Sequence, residues 1–285
     1  MITISTIKEL REALSVHKRA GKTIGFVPTM GYLHDGHLSL VEQAKSESDV
    51  VVMSIFVNPL QFGPNEDFSV YPRDLARDQK LAQDAGVHYL FTPSVEEMYP
   101  RPMLTNVSVQ NITEALCGLS RPGHFDGVAT VVTKLFNIVG ADKAFFGQKD
   151  AQQVAVVEQM VADLQIPVQI VPCPIYREKD GLAMSSRNVF LSKEERLQAL
   201  ILYKSLSRTE QMIANQQRDV AVLSNEVRNL IQSQPLAEID YVEVKRYPEM
   251  SDIEILKTGD RILIALAVKF GRTRLIDNVI LTVVD

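Results

Sequence analysis

Two imidazoles three positions apart, His34 and His37, are the side chains in this sequence best suited to act on a phosphate. Asp35 and Gly36 lie between them. Each ring offers an N–H donor, and the pair can bring two donors to one phosphate group. Upstream, Ile24, Phe26 and Val27 read as a buried strand that breaks at Pro28. Gly31 and Gly36 then mark a loop, and Leu38, Leu40, Val41 and Ala44 recur at helical spacing. The predicted order is strand, glycine turn, helix start. A helix start presents unpaired backbone N–H groups and the positive end of its dipole, a seat for an anion. Gly36 leaves room for a ligand to approach the backbone. The plain alternative is a tight turn carrying two solvated histidines.

The spacing from Gly31 through Gly36 to His37 imitates a phosphate-binding loop of the Gly-x-x-x-x-Gly-Lys-Ser/Thr kind. His37 stands where that motif needs lysine, and Leu38 where it needs a magnesium-binding hydroxyl. Both key groups are therefore missing. The tetrapeptide His34-Asp35-Gly36-His37 instead resembles the His-x-Gly-His signature of nucleotidyltransferases and class I tRNA synthetases, which attack the α-phosphorus of a nucleotide.

Composition sets bounds on the rest. At 285 residues the chain has room for one large domain or two. Its 46% hydrophobic and 23% charged content is that of an ordinary soluble globular protein. A net charge of −5 argues against nucleic acid as a partner, so an anionic substrate needs a local cationic pocket. The first residues show no signal-peptide pattern, and no apolar run approaches the ~20 residues of a membrane span. Two distant cysteines, Cys117 and Cys173, are expected to be reduced thiols, and the expected location is the cytoplasm.

Apolar spacing predicts a helix over 7–20, a strand over 50–57 buried on both faces, and a helix from Leu75 to Gly86. A short strand follows at 88–93, then a short helix capped by Ser94 with Glu97 completing a capping box. Residues 106–110 read as a weak extended piece. Residues 116–127 read as a glycine-rich loop carrying Arg121 and His124, either a mobile cover or a surface excursion. A buried helix over 128–139, a strand at 143–147, a helix over 150–162 and a strand at 168–171 complete the series. Alternating strands and helices predict an α/β fold with a doubly wound, Rossmann-like parallel sheet over 1–175. A smaller C-terminal α+β domain over 176–285 has a long helical region from Ser192, a helix over 220–231, and three strands. The polar residues then gather in the loops at 28–37, 58–61, 147–153 and 176–188. In open parallel sheets such strand-end loops line the ligand crevice.

These loops carry a resemblance. The stretches Pro28–His37, Phe56–Phe62, Tyr71–Arg73, Arg121–Val132, Phe146–Gln153 and Arg177–Asn188 are similar, in order and spacing, to those of the pantoate–β-alanine ligase family. The resemblance implies an ATP-dependent condensation of pantoate with β-alanine through pantoyl adenylate, releasing AMP and pyrophosphate in vitamin B5 biosynthesis. It implies that His37 is a proton donor. ATP would be held by Met30, Gly31, His34, Asp35, Gly36, His37, Gly147, Gln148, Lys149, Asp150, Tyr176, Met184, Ser185, Ser186 and Arg187. Gln61 and Gln153 would bind pantoate, with Asn58 assisting, and Gln61 would also serve β-alanine. Pro28, Met30 and Phe62 would wall pantoate's methyls. Magnesium would accompany the phosphates, with Asp78 as the candidate ligand, and the assembly would be a homodimer.

The residue chemistry agrees with this. Charge develops on the α-phosphate and on departing pyrophosphate, so the site needs aligned donors. His34, His37, Lys149 and Arg187 are the catalytic candidates. The Ser185-Ser186-Arg187 stretch resembles the mobile Lys-Met-Ser-Lys-Ser loop of the related synthetases, and donors drawn from two domains imply closure. Two positions depart from the family. Gln148 stands where glutamate is frequent, and Tyr176 where a small aliphatic residue is. Two other functions stay open at this point: a nucleotidyltransferase that leaves the nucleotidyl group on its product, and a non-catalytic nucleotide-binding sensor.

Overall fold

The structure is a computed structural model, and it describes residues 1–64, 66 and 68–285. In chain order the elements are β1 (Ile2–Ile4), α1 (Ile7–Arg19), β2 (Ile24–Thr29), α2 (Asp35–Glu47), β3 (Val50–Ile55), α3 (Leu75–Ala85), β4 (Tyr89–Phe91), α4 (Val95–Met98), α5 (Leu116–Ser120), α6 (His124–Val139), β5 (Lys143–Gly147), α7 (Ala151–Asp163), β6 (Gln169–Cys173), α8 (Lys193–Ala199), α9 (Ile201–Ala214), α10 (Val220–Gln232), β7 (Ala237–Arg246), β8 (Arg261–Phe270) and β9 (Thr273–Thr282). Among the described residues no helix is long and apolar enough to cross a membrane.

The chain forms two compact units. The first holds Met1–Val109, Arg121–Gln148 and Val156–Pro174; the second holds Gln110–Ser120, Lys149–Ala155 and Ile175–Asp285. This differs from a single cut after residue 175, because two inserted segments join the second unit. Hydrogen bonds give the reason. The Gln152 amide donates to the carbonyls of Ile112 and Ala115 at 2.8 and 2.7 Å, and Asn278 donates to the carbonyl of Lys149 at 2.8 Å.

In the first unit, six parallel strands run in the order β1-β4-β3-β2-β5-β6. From β2 the chain builds outward on one side through β3 and β4, then crosses to the other side at β5. The switch point therefore lies between β2 and β5, where such sheets bind ligands at the strand ends. Strand β2 runs on through Pro28 to Thr29 instead of breaking there. Its pairing with β5 ends at Phe26, so Pro28 interrupts only a one-sided ladder. Val27, Leu33, Val41, Met53, Leu90 and Phe145 pack into one buried cluster. Each such side chain contributes about 1.5–3 kcal/mol of burial.

Some local expectations are corrected. Ser94 caps α4 through the Glu97 N–H at 3.1 Å, but the Glu97 carboxylate accepts from the Ile7 N–H of α1 instead of closing a capping box. Residues 106–110 pair with no strand, and 116–127 are largely helical, forming α5 and the start of α6. His17 bonds the Tyr89 hydroxyl at 2.8 Å. In the second unit β7, β8 and β9 form an antiparallel sheet packed by α8, α9 and α10 around one aliphatic core. The long helical region from Ser192 divides at Leu200, and its start carries a complete Ser192–Glu195 capping box.

One exposed histidine sits beside the parallel sheet, just ahead of β4. His88 Nδ1 accepts the Val51 N–H at 3.0 Å, a bond that only the unprotonated nitrogen can make. Desolvation, with positive charge on His17 and the N-terminal amine, holds this imidazole below its ordinary value of 6.5. Its contribution to stability is complete above that value and is lost as the pH falls from there through the lowered folded-state value. Thermal unfolding followed from pH 7.5 to 5 should show a falling melting temperature, and His88→Asn should flatten that limb. An unaltered limb in the variant would assign the titration to another group.

Candidate active site

The loop after β2 is shaped by one buried carboxylate. Gly31 and Tyr32 both take left-handed backbone conformations, with φ of +84° and +49°. The turn aims the N–H groups of Tyr32 and Leu33 at Asp78, near the start of α3, where they reach Oδ2 and Oδ1, each at 2.7 Å. Asp78 is 1% exposed. A Cβ on residue 31 would come within 2.8 Å of Ile55 Cγ2 and 3.1 Å of Asp78 Oδ2, so only glycine fits there. Burial pushes the Asp78 carboxyl upward, opposed by the Leu33 and Tyr32 N–H donors and by Arg77.

That turn delivers α2 with His34 as its N-cap residue, in extended conformation and without a side-chain capping bond. His34 and His37 stack with ring centroids 3.9 Å apart and planes tilted by 24°. Both rings are half-buried, and Asp35 beside them is exposed. The sequence-predicted pair is thus one unit of chemistry: two imidazoles at a helix start, at the end of the strand that borders the switch point. A cavity of about 270 Å³ opens beside the loop, with Met30, Tyr32, Phe56, Phe68 and Asp78 in its wall. Phe62 does not line it; its ring packs edge-on against Phe68.

Asp78, expected as the magnesium ligand, serves here as the anchor of the loop. Both of its oxygens are engaged by backbone amides, and its partner is the loop. Among the described residues no group of three or more His, Cys, Asp or Glu side chains is placed to hold a metal ion. The residues present do not fit a metal held by the protein alone.

Asn58, expected to assist substrate binding, acts as a bracket. It is 1% exposed. Its Nδ2 donates to Gln61 Oε1 at 3.2 Å and to the Gly127 carbonyl at 3.1 Å. Its Oδ1 accepts from the Tyr99 hydroxyl at 2.8 Å and the Leu60 N–H at 3.3 Å. What it holds is Gln61. The Gln61 carbonyl is gripped by His124 Nδ1 at 2.8 Å and Arg121 Nη2 at 3.3 Å. The Arg121 guanidinium in turn forms a two-pronged ion pair with Glu66, both contacts at 2.6 Å. Burial pushes the Glu66 carboxyl up, but Arg121 outweighs it and holds it below the usual range. Gly127 permits the close approach of α6, since a Cβ there would lie 2.2 Å from the Leu60 carbonyl oxygen. The Gln61 amide nitrogen is left resting on Met30 Sδ at 3.1 Å, a weak acceptor that a ligand oxygen can replace. Tyr99, Glu66 and Gly127 carry no motif chemistry of their own. Gly127 lies within the Arg121–Val132 stretch; Tyr99 and Glu66 lie outside the six stretches, and sequence alone does not give their contacts.

The second unit holds the remaining candidates. Lys149 is half-buried in the turn Gln148–Asp150, and its ammonium lies 4.0 Å from the exposed Asp150 carboxylate. Gln153 follows on the first turn of α7. Residues 176–184 form a small hairpin, bridged at Arg177 and Ala183 and closed by Met184 N–H to the Tyr176 carbonyl at 3.0 Å. Gly181 makes its turn at φ +96°. Tyr176 thus contributes its backbone to the hairpin and leaves its side chain 42% exposed. The hairpin leads into Ser185, whose hydroxyl accepts the Arg187 N–H at 3.2 Å and starts the short 3-10 turn Ser186–Phe190. Met184, Ser185, Ser186 and Arg187 therefore stand on one short, locally braced segment. Gly147 and Gln148, at the end of β5, close the first unit's share of the expected ATP set.

A doubly wound sheet with paired histidines at the switch-point helix defines a nucleotide-handling α/β protein. Comparison with known proteins narrows the class. The family model described as pantoate-beta-alanine ligase matches residues 2–280. A pantothenate synthetase from Caldicellulosiruptor bescii is 56% identical over 281 residues, 98% of this chain and 99% of that one. A crystal structure of pantothenate synthetase from Thermus thermophilus superposes with a TM-score of 0.91 at 47% identity, each chain covered in full. A Francisella tularensis pantoate-beta-alanine ligase, complexed with beta-gamma ATP and beta-alanine, gives 0.78 at 37% identity over 98% of this chain and 97% of that one. The chain belongs to the pantoate–β-alanine ligase family.

Asp78→Asn separates the anchor from a metal ligand. It replaces one acceptor oxygen by an amide that faces a backbone N–H. The variant should lose about 1–3 kcal/mol of stability and roughly 10²-fold in kcat/KM, because the histidines shift. Its magnesium dependence should match the parent's. A normal melting temperature with a raised magnesium requirement would instead make Asp78 a metal ligand.

Proposed function

We propose that this chain joins pantoate to β-alanine in an ATP-driven reaction that proceeds through pantoyl adenylate. The observation that carries this reading is the stacked His34–His37 pair at the start of α2, on the switch-point strand of this family's sheet. A carboxylate is a poor acyl donor, and adenylation makes it a good one. In the first step a pantoate carboxylate oxygen attacks the α-phosphorus, and the bond to the bridging oxygen breaks toward pyrophosphate. In the second step the β-alanine amine attacks the acyl carbon. The bond to the phosphate oxygen breaks, AMP leaves, and the amine nitrogen loses its proton.

The roles follow from the chemistry of the groups. His34 and His37 donate to the α-phosphate oxygens as charge builds there, with the helix start adding its backbone N–H groups. Lys149 offers a compact cation and Arg187 a planar fork of donors to the departing phosphates. Ser185 and Ser186 supply hydroxyls beside Arg187. Among the described residues nothing meets a Cβ at position 147, and an ATP lying against that strand end accounts for glycine there. Gln61 turns its amide nitrogen from the Met30 sulfur to a pantoate oxygen, and Gln153 offers a second amide. Met30 and Phe56 give the methyl groups an apolar wall. Magnesium enters this reading as the counter-ion that travels with the triphosphate, a mode that needs few protein ligands. The same reading carries a homodimer working in the cytoplasm.

An assay with ATP, magnesium, pantoate and β-alanine tests this. AMP and pyrophosphate should appear only when pantoate is present, and pantothenate only when β-alanine is added. ADP and phosphate would contradict the adenylate. A stable nucleotidyl product would favour a nucleotidyltransferase, and tight ATP binding without turnover a sensor. His37→Ala should lower kcat roughly 10²- to 10⁴-fold at an unchanged melting temperature; a large loss of stability would make His37 structural.

A further inference from the structure

Strand β9 carries two adjacent polar residues, Asp277 and Asn278, that the chemistry above does not use. They are 3% and 4% exposed, inside an aliphatic strand that includes Leu275, Ile276, Val279 and Ile280. Burying a carboxylate and an amide costs free energy that only good partners offset. Neighbours on a strand point to opposite faces of the sheet, so the pair reaches two different elements.

Asp277 takes Arg177 in a two-pronged pair, Nη1 to Oδ2 at 2.7 Å and Nη2 to Oδ1 at 2.9 Å. Arg177 is the entry residue of the hairpin that leads to Arg187. Its Nη1 also donates to the Gly181 carbonyl across the hairpin at 3.2 Å. Its guanidinium lies 4.1 Å from the Tyr203 ring centroid, which fixes its plane. Asn278 faces the other way. Its Nδ2 donates to the main-chain carbonyl of Lys149 at 2.8 Å. Asp277 Oδ1 closes the arrangement by accepting the Asn278 N–H at 2.8 Å.

The segments that carry the second unit's two phosphate-directed cations are therefore both rooted in one dipeptide. We infer that Asp277 and Asn278 are positioning residues that hold the Lys149 turn and the Arg187 hairpin in fixed register, so that both cations meet ATP as one set. This rests on the phosphate-binding reading of Lys149 and Arg187. A core role alone would need partners for the two polar groups, but not partners on those two segments.

A double-mutant cycle tests it. The parent, Asn278→Ala, Lys149→Ala and the double variant are compared in pantoate-dependent exchange of pyrophosphate into ATP, with KM for β-alanine measured in the full reaction. Asn278→Ala should lower kcat/KM for ATP roughly tenfold and leave KM for β-alanine unchanged. In the Lys149→Ala background it should cost less than about twofold more, because its effect runs through Lys149. Repetition of the full loss in that background overturns the inference, as does an unchanged kcat/KM for ATP in the folded single variant. Should Asn278→Ala not fold, Asn278→Asp goes through the same cycle, and failure of both to fold assigns Asn278 to the core alone and overturns the inference. If the parent makes no pantothenate, the ligase reading fails instead. Titration of the same proteins with a non-hydrolysable ATP analogue still decides the role of Asn278 by the same non-additivity.

Discussion

A single buried carboxylate sets the geometry on which the first unit's chemistry depends. The chain must leave β2, turn sharply, and present a helix start carrying two imidazoles. The turn passes through two successive left-handed residues, and Tyr32 is not a glycine. That conformation costs a side-chain-bearing residue of the order of 1–2 kcal/mol. Two charge-assisted hydrogen bonds from the Tyr32 and Leu33 N–H groups to Asp78 offset it, since such bonds contribute about 1.5–3 kcal/mol each. Without the carboxylate the turn would leave two N–H groups without those bonds. The stacked histidines inherit their position from that bond pair.

The same device recurs. The side chains proposed to meet the ligand sit on turns, and buried groups grip the main chain beneath them. Asp78 holds the amides ahead of His34. His124 and Arg121 hold the carbonyl of Gln61, and Glu66 holds Arg121. Asn278 holds the carbonyl of Lys149. A backbone fixed this way positions the side chain that it carries. This preorganisation lets donors stabilise developing charge without rearranging first.

The sheet and the histidine loop were legible in the sequence because their signals are local. Continuous apolar runs announce strands buried on both faces, and the glycine turn into a helix is set by adjacent residues. The misreadings share one cause: the partner lies far away in the chain. The anchoring role of Asp78 was hidden because its bonding partners are backbone amides some 45 positions upstream. The bracketing role of Asn58 was hidden because Tyr99 and Gly127 are distant. The segment 116–127 looked like a loop because its glycines suggest turns, whereas Gly127 serves close packing against Leu60 within α6. Glu97 has the spacing of a capping box, yet its carboxylate goes to Ile7. The two segments that join the second unit were hidden for the same reason, since a hydrogen bond from Gln152 to Ile112 leaves no trace in local pattern.

The central claim is that donors around His34 and His37 guide a carboxylate oxygen to the α-phosphorus of ATP. Pantoate labelled with oxygen-18 in its carboxylate, turned over once with ATP and β-alanine, tests that bond directly. One labelled oxygen should appear in the phosphoryl group of AMP and the other in the amide carbonyl of pantothenate. Unlabelled AMP, with the label instead in inorganic phosphate, would mean attack at the terminal phosphorus and would contradict the account.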